Sequence, residues 1–204
     1  MNNGRTTNCV HDRFRRVYVG ALLYLAGLTV AAAGQGRGLT PGFPHLEKHE
    51  NSTQLIVDDK PFLVLGGELH NSSSSSPEYM TSLWSRLSAT HMNTVLLPVA
   101  WETIEPEEGK FDFHCVDGLL KGARENKLKI VVLWFGSWKN TYSSYVPAWV
   151  KGDIERFPRV QTSDGRGTER ISTFSAAARD ADARAFARLM QHLREADGAQ
   201  HTVL

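Results

Sequence analysis

Cysteine is nearly absent from this chain. Two occur in 204 residues, Cys9 and Cys115, and Cys9 falls in a leader-like N-terminal stretch. Once that stretch is removed Cys115 stands alone, which excludes an intrachain disulfide even in an oxidising compartment. Beside Val116 at an expected helix start, Cys115 reads as a small buried hydrophobe. Blocks of like charge are missing too. The formal net charge is +1 and no Lys/Arg cluster with interleaved aromatics occurs, so nucleic acid is not an expected partner. No set of side chains has metal-ligand spacing. His45-x-x-x-His49 lacks the glutamate offset of a zinc-binding helix and follows Pro44, so it reads as a surface loop. A phosphate loop is also wanting: Gly34, Gly36 and Gly38 alternate, but no strand precedes them and Pro41 follows closely. Neither a metal nor another cofactor is expected.

Long hydrophobic runs are scarce beyond the first 33 residues. There, Arg5, Arg13, Arg15 and Arg16 outweigh Asp12, an apolar run extends from Val17 to Ala33, and Ala31-Ala32-Ala33 offers an A-x-A pattern. This is the layout of a secretory signal peptide, and it predicts a secreted or periplasmic protein with no stable membrane association after cleavage. The alternative is a membrane anchor formed by residues 17–33, near the lower length limit for a span. Without residues 1–33, Lys plus Arg falls from 23 to 19 and Asp plus Glu from 22 to 21, leaving a net charge of about −2. Residues 34–52, rich in Gly and Pro, read as an irregular lead-in.

Regular patterning is expected from residue 53 onward. QLIV and PFLVLGG flank Asp58-Asp59-Lys60, which predicts a short hairpin with Pro61 opening its second arm. Ser76-Pro77-Glu78 then announces a helix: a Ser cap, Pro at the first helical position and an acid in the first turn. Met80, Leu83, Trp84 and Leu87 give it one apolar stripe. The Ser72–Ser76 run reads as a flexible lead-in without chemistry. TVLLPVA is a continuous apolar run, as in a strand buried on both faces. Val116, Leu119, Leu120 and Ala123 mark a second helix, IVVLWFG a second buried strand, and a long polar loop is expected from Ser137 to about Ser175. A third helix covers about Ala176 to Asp197, with Phe186, Leu189, Met190 and Leu193 on one face and Gly198 ending it. His201-Thr202-Val203-Leu204 opens a further strand.

This alternation predicts an α/β fold with a parallel sheet. Of the two arrangements it allows, an open doubly wound sheet should carry a Gly-rich phosphate turn after its first strand. Here Gly66-Gly67 leads instead into Glu68-Leu69-His70-Asn71. A (β/α)8 barrel puts aromatic and polar groups at the C-terminal ends of several strands. GGELHN, AWETIEP and LWFGSWKN do so three times, and the reading is therefore the N-terminal portion of a TIM barrel, residues 53–204, ending inside strand four. Indole faces can stack on the C–H face of a pyranose while carboxylates and amides take hydroxyl hydrogen bonds. The candidate sugar-binding residues are Glu68, His70, Trp101, Glu102, Trp138 and Asn140. Trp101 is expected to shape the floor and Glu102 to hold hydroxyls, while Glu105 braces its own loop and Glu107 and Glu108 lie on a solvated face.

These strand ends resemble a known family. Trp101-x-x-x-Glu105-Pro106, followed by Gly109-x-Phe111-x-Phe113, is similar to the W-N-x-x-E-P and G-x-Y/F-x-F of the family 35 β-galactosidases. Gly67-x-x-His70 resembles their G-x-x-H, and Leu133 to Asn140 their L-R-P-G-P-Y-x-N. The likeness runs in order from about Gln54 to Leu204. It departs at Glu102 for Asn, Asn71 for an aromatic, Trp134 for Arg and Tyr142 for Glu, which marks a divergent branch for which a galactoside, another β-glycoside and an arabinoside all stay open.

The resemblance implies a retaining glycosidase needing no cofactor. Its acid/base glutamate lies in an Asn-Glu pair after strand four and its nucleophile after strand seven, about 5 Å apart in the folded site. Both are expected beyond Leu204, so the chain should be inactive alone, and a half barrel with an open edge on its parallel sheet should fold poorly. The alternative is a non-catalytic secreted carbohydrate-binding piece that a partner completes. Asn51-Ser52-Thr53 and Asn71-Ser72-Ser73 match the N-glycosylation pattern.

Overall fold

The computed structural model describes residues 42–139 and 144–204. The expected leader at 1–33, the membrane-anchor alternative at 17–33 and the start of the lead-in lie outside the described residues. The first elements form an antiparallel sheet of β1 (His45–His49), β2 (Ser52–Val57) and β3 (Lys60–Pro61). Asp58 and Asp59 both take positive φ, 51° and 60°, the backbone of the tight turns that match strand twist. So the hairpin forms where the sequence puts it, although Lys60–Pro61 is all that pairs in its second arm.

His45–His49 departs from the expected loop. It pairs with β2 over five positions, from His45↔Ile56 to His49↔Ser52. An exposed edge strand has no buried face to impose alternation, and Leu46 is indeed 72% exposed. The template for β1 is the backbone of β2, which a hydrophobic pattern cannot reveal. Lys129 Nζ, 3.1 Å from Asp58 Oδ2, and the edge-on contact of Phe43 with His201 moor this end of the chain near the start of the parallel strands.

The central sheet is parallel, in the order β4 (Gly66–Glu68), β5 (Thr94–Ala100), β6 (Lys129–Phe135). Val203 adds a parallel bridge beside Ile130. Each crossover carries a helix: α1 (Pro77–Ala89) between β4 and β5, and α3 (His114–Glu125) between β5 and β6, after a single turn α2 (Trp101–Ile104). Ser76 caps α1 as expected, its hydroxyl accepting the Tyr79 N–H at 3.1 Å. Val95, Leu97 and Val99 of β5 and Ile130 of β6 pack against Met80 and Trp84 of α1 and Val116, Leu119 and Leu120 of α3. One period of two meets two periods of 3.6, and all the helices of this cluster cover one face of the sheet. Gly122 sits so close to α1 that a Cβ there would lie 2.2 Å from Trp84 Nε1.

The segment expected as one long polar loop holds structure of its own. It contains α4 (Ala148–Gly152) and an antiparallel pair, β7 (Arg159–Gln161) and β8 (Gly167–Ile171). Helix α5 (Ala176–Asp197) follows, with Ser175 as its cap. Its buried face is not the one expected. Leu189 and Leu193 are buried, but Phe186 and Met190 are 41% and 36% exposed, and Ala178, Ala181 and Ala185 complete the stripe instead. Small side chains let the N-terminal half of α5 approach Trp101, Val146, Val150, Phe157 and Ile171, a second hydrophobic cluster over the strand ends. Gly198 does end the helix, but with a right-handed φ of −59°.

Candidate functional site

The C-terminal ends of β4, β5 and β6 and the loops after them carry the candidate residues. Glu68 pairs in register with Leu96, on the face opposite to Val95 and the helices, because successive strand residues alternate. Its carboxylate is half-exposed and lies 3.5 Å from Lys139 Nζ, which also sits over the Phe135 ring at 4.4 Å. The loop after β6 thus reaches back across to the end of β4. Trp138, next to Lys139, is 36% exposed and leaves ring surface for a ligand. His70 is exposed, with Ser72 Oγ 3.4 Å from its Nδ1. Asn140 lies outside the described residues.

Trp101 does not take the place expected of it. The chain turns into α2 immediately after β5, and the indole is driven under the loop, fully buried. Trp149 meets it edge-on at 5.8 Å. Its Nε1 donates to Glu105 Oε2 at 2.6 Å, and Glu105 Oε1 accepts the Gly109 N–H at 2.8 Å. Glu105 is itself fully buried, so a buried carboxylate is satisfied by two donors, as burial requires. The W-x-x-x-E spacing is one helical turn that closes this pair. Glu105 therefore braces the loop as expected, whereas Trp101 offers no ring face to a sugar and serves as a core residue.

Glu102 is half-exposed but not idle. Lys151 Nζ lies 2.7 Å from its Oε2, and its backbone N–H donates to the Tyr145 carbonyl at 2.8 Å. Glu108 is more than a solvated acid: it receives a two-pronged contact from Arg156 at 2.8 and 2.9 Å. That guanidinium holds the Glu108 carboxyl below its usual range. The acidic loop is thus fastened to the α4 segment by cations, Lys151 and Arg156, which sequence reasoning missed. Lys139 was within a quoted motif and carried the signal of a charge beside an aromatic. Lys151 carried none, since only the packing of α4 brings it near.

Asp182 of α5 is a further unforeseen residue. Its two oxygens accept from Trp134 Nε1 at 2.7 Å and from the Ser137 N–H at 2.8 Å. Gly136 permits this, because a Cβ there would lie 2.5 Å from both oxygens. Trp134, which stands where the resemblance would put Arg, faces the helices. The Ser-rich stretch before α1 is built rather than loose: Ser73 and Ser74 are buried, and the Ser73 N–H donates to the His70 carbonyl at 2.9 Å. With Pro98, Glu102, Ile104 and Tyr145 it lines a cavity of about 120 Å³. Cys115 borders that cavity half-buried, with Sγ 3.3 Å from the Ser74 carbonyl. Burial, followed by the charges of Glu78 and Asp112, pushes its thiol up to about 11.

Residues 54–168 match Glycosyl hydrolases family 35. This match spans more than half of the chain, and the chain belongs to that family. Among characterised relatives, Beta-galactosidase 11 of Arabidopsis thaliana is 36% identical over 71 residues, 35% of this chain and 8% of that protein. A Beta-galactosidase of Xanthomonas manihotis is 29% identical over 123 residues, 56% of this chain and 19% of that protein. The chain thus spans less than a fifth of the length of either. Among solved structures, an exo-beta-1,4-mannosidase from Opitutaceae bacterium strain TAV5 is 16% identical, with a TM-score of 0.48 over 66% of this chain and 23% of that one. A likeness at that level is too slight to argue from.

Proposed function

We propose that this chain forms part of the sugar-binding barrel of a secreted glycoside hydrolase acting on β-galactosides or closely related glycosides. The observation that carries the reading is the family match over residues 54–168, which includes the ends of β4, β5 and β6. The sequential strand order, with the helices of the first cluster on one face, supports a barrel over a doubly wound sheet, in which helices cover both faces. Glu68, Lys139 and the exposed ring of Trp138 would meet the glycone, with His70 beside them. Glu102 would reach a hydroxyl only in exchange with Lys151. The relatives bear the names of enzymes, which does not favour the non-catalytic alternative.

A retaining reaction needs an acid to protonate the leaving oxygen and a carboxylate about 5 Å from it to attack the anomeric carbon. No residue described here is assigned either role. Glu105 is committed to Trp101 and Gly109, and Glu68 and Glu102 each face a lysine. The described residues are therefore expected to supply binding and orientation rather than the acid/base and the nucleophile.

The test is to express the chain together with any coding sequence that follows Leu204 in frame and assay aryl β-galactosides, β-mannosides and α-arabinosides. Preferential hydrolysis of the galactoside with retention of anomeric configuration is expected, and Trp138→Ala should raise KM about tenfold, the loss of one stacking contact. Turnover by residues 1–204 alone, or no turnover of any glycoside by the longer product, would overturn the reading.

A further inference from the structure

Two Asn-x-Ser/Thr triplets are unused by the proposed sugar site, and the structure treats them differently. Asn51 lies in the two-residue turn between β1 and β2, where Glu50 takes a positive φ of 45° and His49 pairs with Ser52. Asn51, Ser52 and Thr53 are all exposed. Among the described residues nothing hydrogen-bonds the Asn51 carboxamide or the Thr53 hydroxyl, while Ser52 Oγ is tied to the His49 carbonyl at 3.2 Å. The acceptor amide and the hydroxyl two residues on, the pair the acceptor pattern requires, are both free on a hairpin tip. Asn71 is the contrary case. It is half-buried in the cavity wall, and its Ser73 is 9% exposed with its backbone folded against His70.

We propose that Asn51 is the N-glycan acceptor of this protein, in preference to Asn71. In the transfer, Asn51 Nδ2 bonds to the anomeric carbon of a lipid-pyrophosphate-linked oligosaccharide. The C–O bond to the pyrophosphate breaks, the pyrophosphate leaves with the electron pair, and the amide proton passes to a base of the transferase. The hairpin sheet is moored at the start of β6, through Asp58 and Lys129, whereas the candidate sugar residues stand at the strand ends. A bulky, hydrated glycan on Asn51 is therefore compatible with an open sugar site, and one on Asn71 is not. The inference rests on the secreted reading for its occurrence in the cell, so the test supplies its own leader.

The whole chain is translated behind a heterologous cleavable leader in the presence of microsomes, and only protease-protected product is scored. One glycan step, removed by peptide N-glycosidase, is expected for the wild-type chain. It should be lost in Asn51→Gln and in Thr53→Ala, kept in Thr53→Ser, and kept in Asn71→Gln. Protected chain without a step, a step that survives Asn51→Gln, or a second step removed by Asn71→Gln would overturn the proposal. Failure of the glycoside assay leaves this result untouched, because the glycan step is read by mass and not by activity.

Discussion

In the strand–helix layer, each apolar contact repeats with the period of its own element: Val95, Leu97 and Val99 at every second residue, Val116, Leu119, Leu120 and Ala123 at helical spacing. In the cap over the strand ends, Trp101, Val146, Phe157 and Ile171 come together from separate segments with no common period. The first region is held by repetition and the second by individual fits. Its polar joints are likewise singular: a buried carboxylate between an indole and a backbone amide, and an aspartate that spans Trp134 and Ser137. Periodic burial tolerates exchange of similar side chains, whereas a set of unique contacts does not.

The largest expected effect falls on the cap. Trp101→Ala empties the centre of its cluster and leaves Glu105 buried with one donor fewer, and should cost about 4 kcal/mol in urea unfolding. Hydrogen exchange sharpens the comparison: amides of α4 and β8 should lose protection while those of β5 and β6 keep theirs. Equal loss in both regions would mean that they unfold as one unit. In the layer, Gly122→Ala sets a methyl against Trp84 and should cost about 1–2 kcal/mol despite the better helix propensity of alanine. A stabilised variant would show that α1 can retreat.

Acid gives a smaller effect. Burial raises the Asp197 carboxyl, but hydrogen bonds from the Val203 N–H, Arg124 and Thr202 more than offset it and hold the group below its ordinary value. A depressed carboxyl stabilises the fold above its unfolded pKa of about 4, and the contribution is withdrawn as pH falls through the lower folded value. The contact between α5 and Val203 should therefore loosen below pH 4, seen as a lower Tm that Asp197→Asn reproduces at pH 7. The smallest effect is chemical. With its thiol pushed up to about 11, Cys115 should react with iodoacetamide at pH 8 far more slowly than free cysteine, and faster once the cap is loosened by Trp101→Ala.

The same contrast explains what the sequence revealed. Helix α1 is legible because Ser76, Pro77 and Glu78 form a cap and Met80 and Trp84 a stripe, all within one short window. The strands β5 and β6 are legible because burial on both faces demands an unbroken apolar run. Trp101 was expected to shape the floor of the sugar site because the residues that bury it, Trp149, Val146, Val150, Phe157 and Ile171, all lie far along the chain. Glu105 was understood because its partners, Trp101 and Gly109, are each four residues away. The face of α5 was assigned to its largest side chains, but close packing against the cap selected Ala178, Ala181 and Ala185. Among the candidate sugar residues, Glu68, His70, Glu102 and Trp138 are all at least partly open to solvent.

The double grip of Asp182 carries a consequence for how this surface could be rebuilt. The segment that brings Val146, Val150, Phe157 and Ile171 to the cap departs at Gly136, directly beneath that carboxylate, and returns at Ser175, the N-cap of the helix that bears it. Its two ends are thus fixed to one rigid post before anything between them is specified. Closing a loop between fixed, neighbouring points grows costlier only with the logarithm of its length. An exchange of sequence within residues 144–174 that keeps the apolar contacts of Val146, Val150, Phe157 and Ile171 would therefore leave both anchors in place.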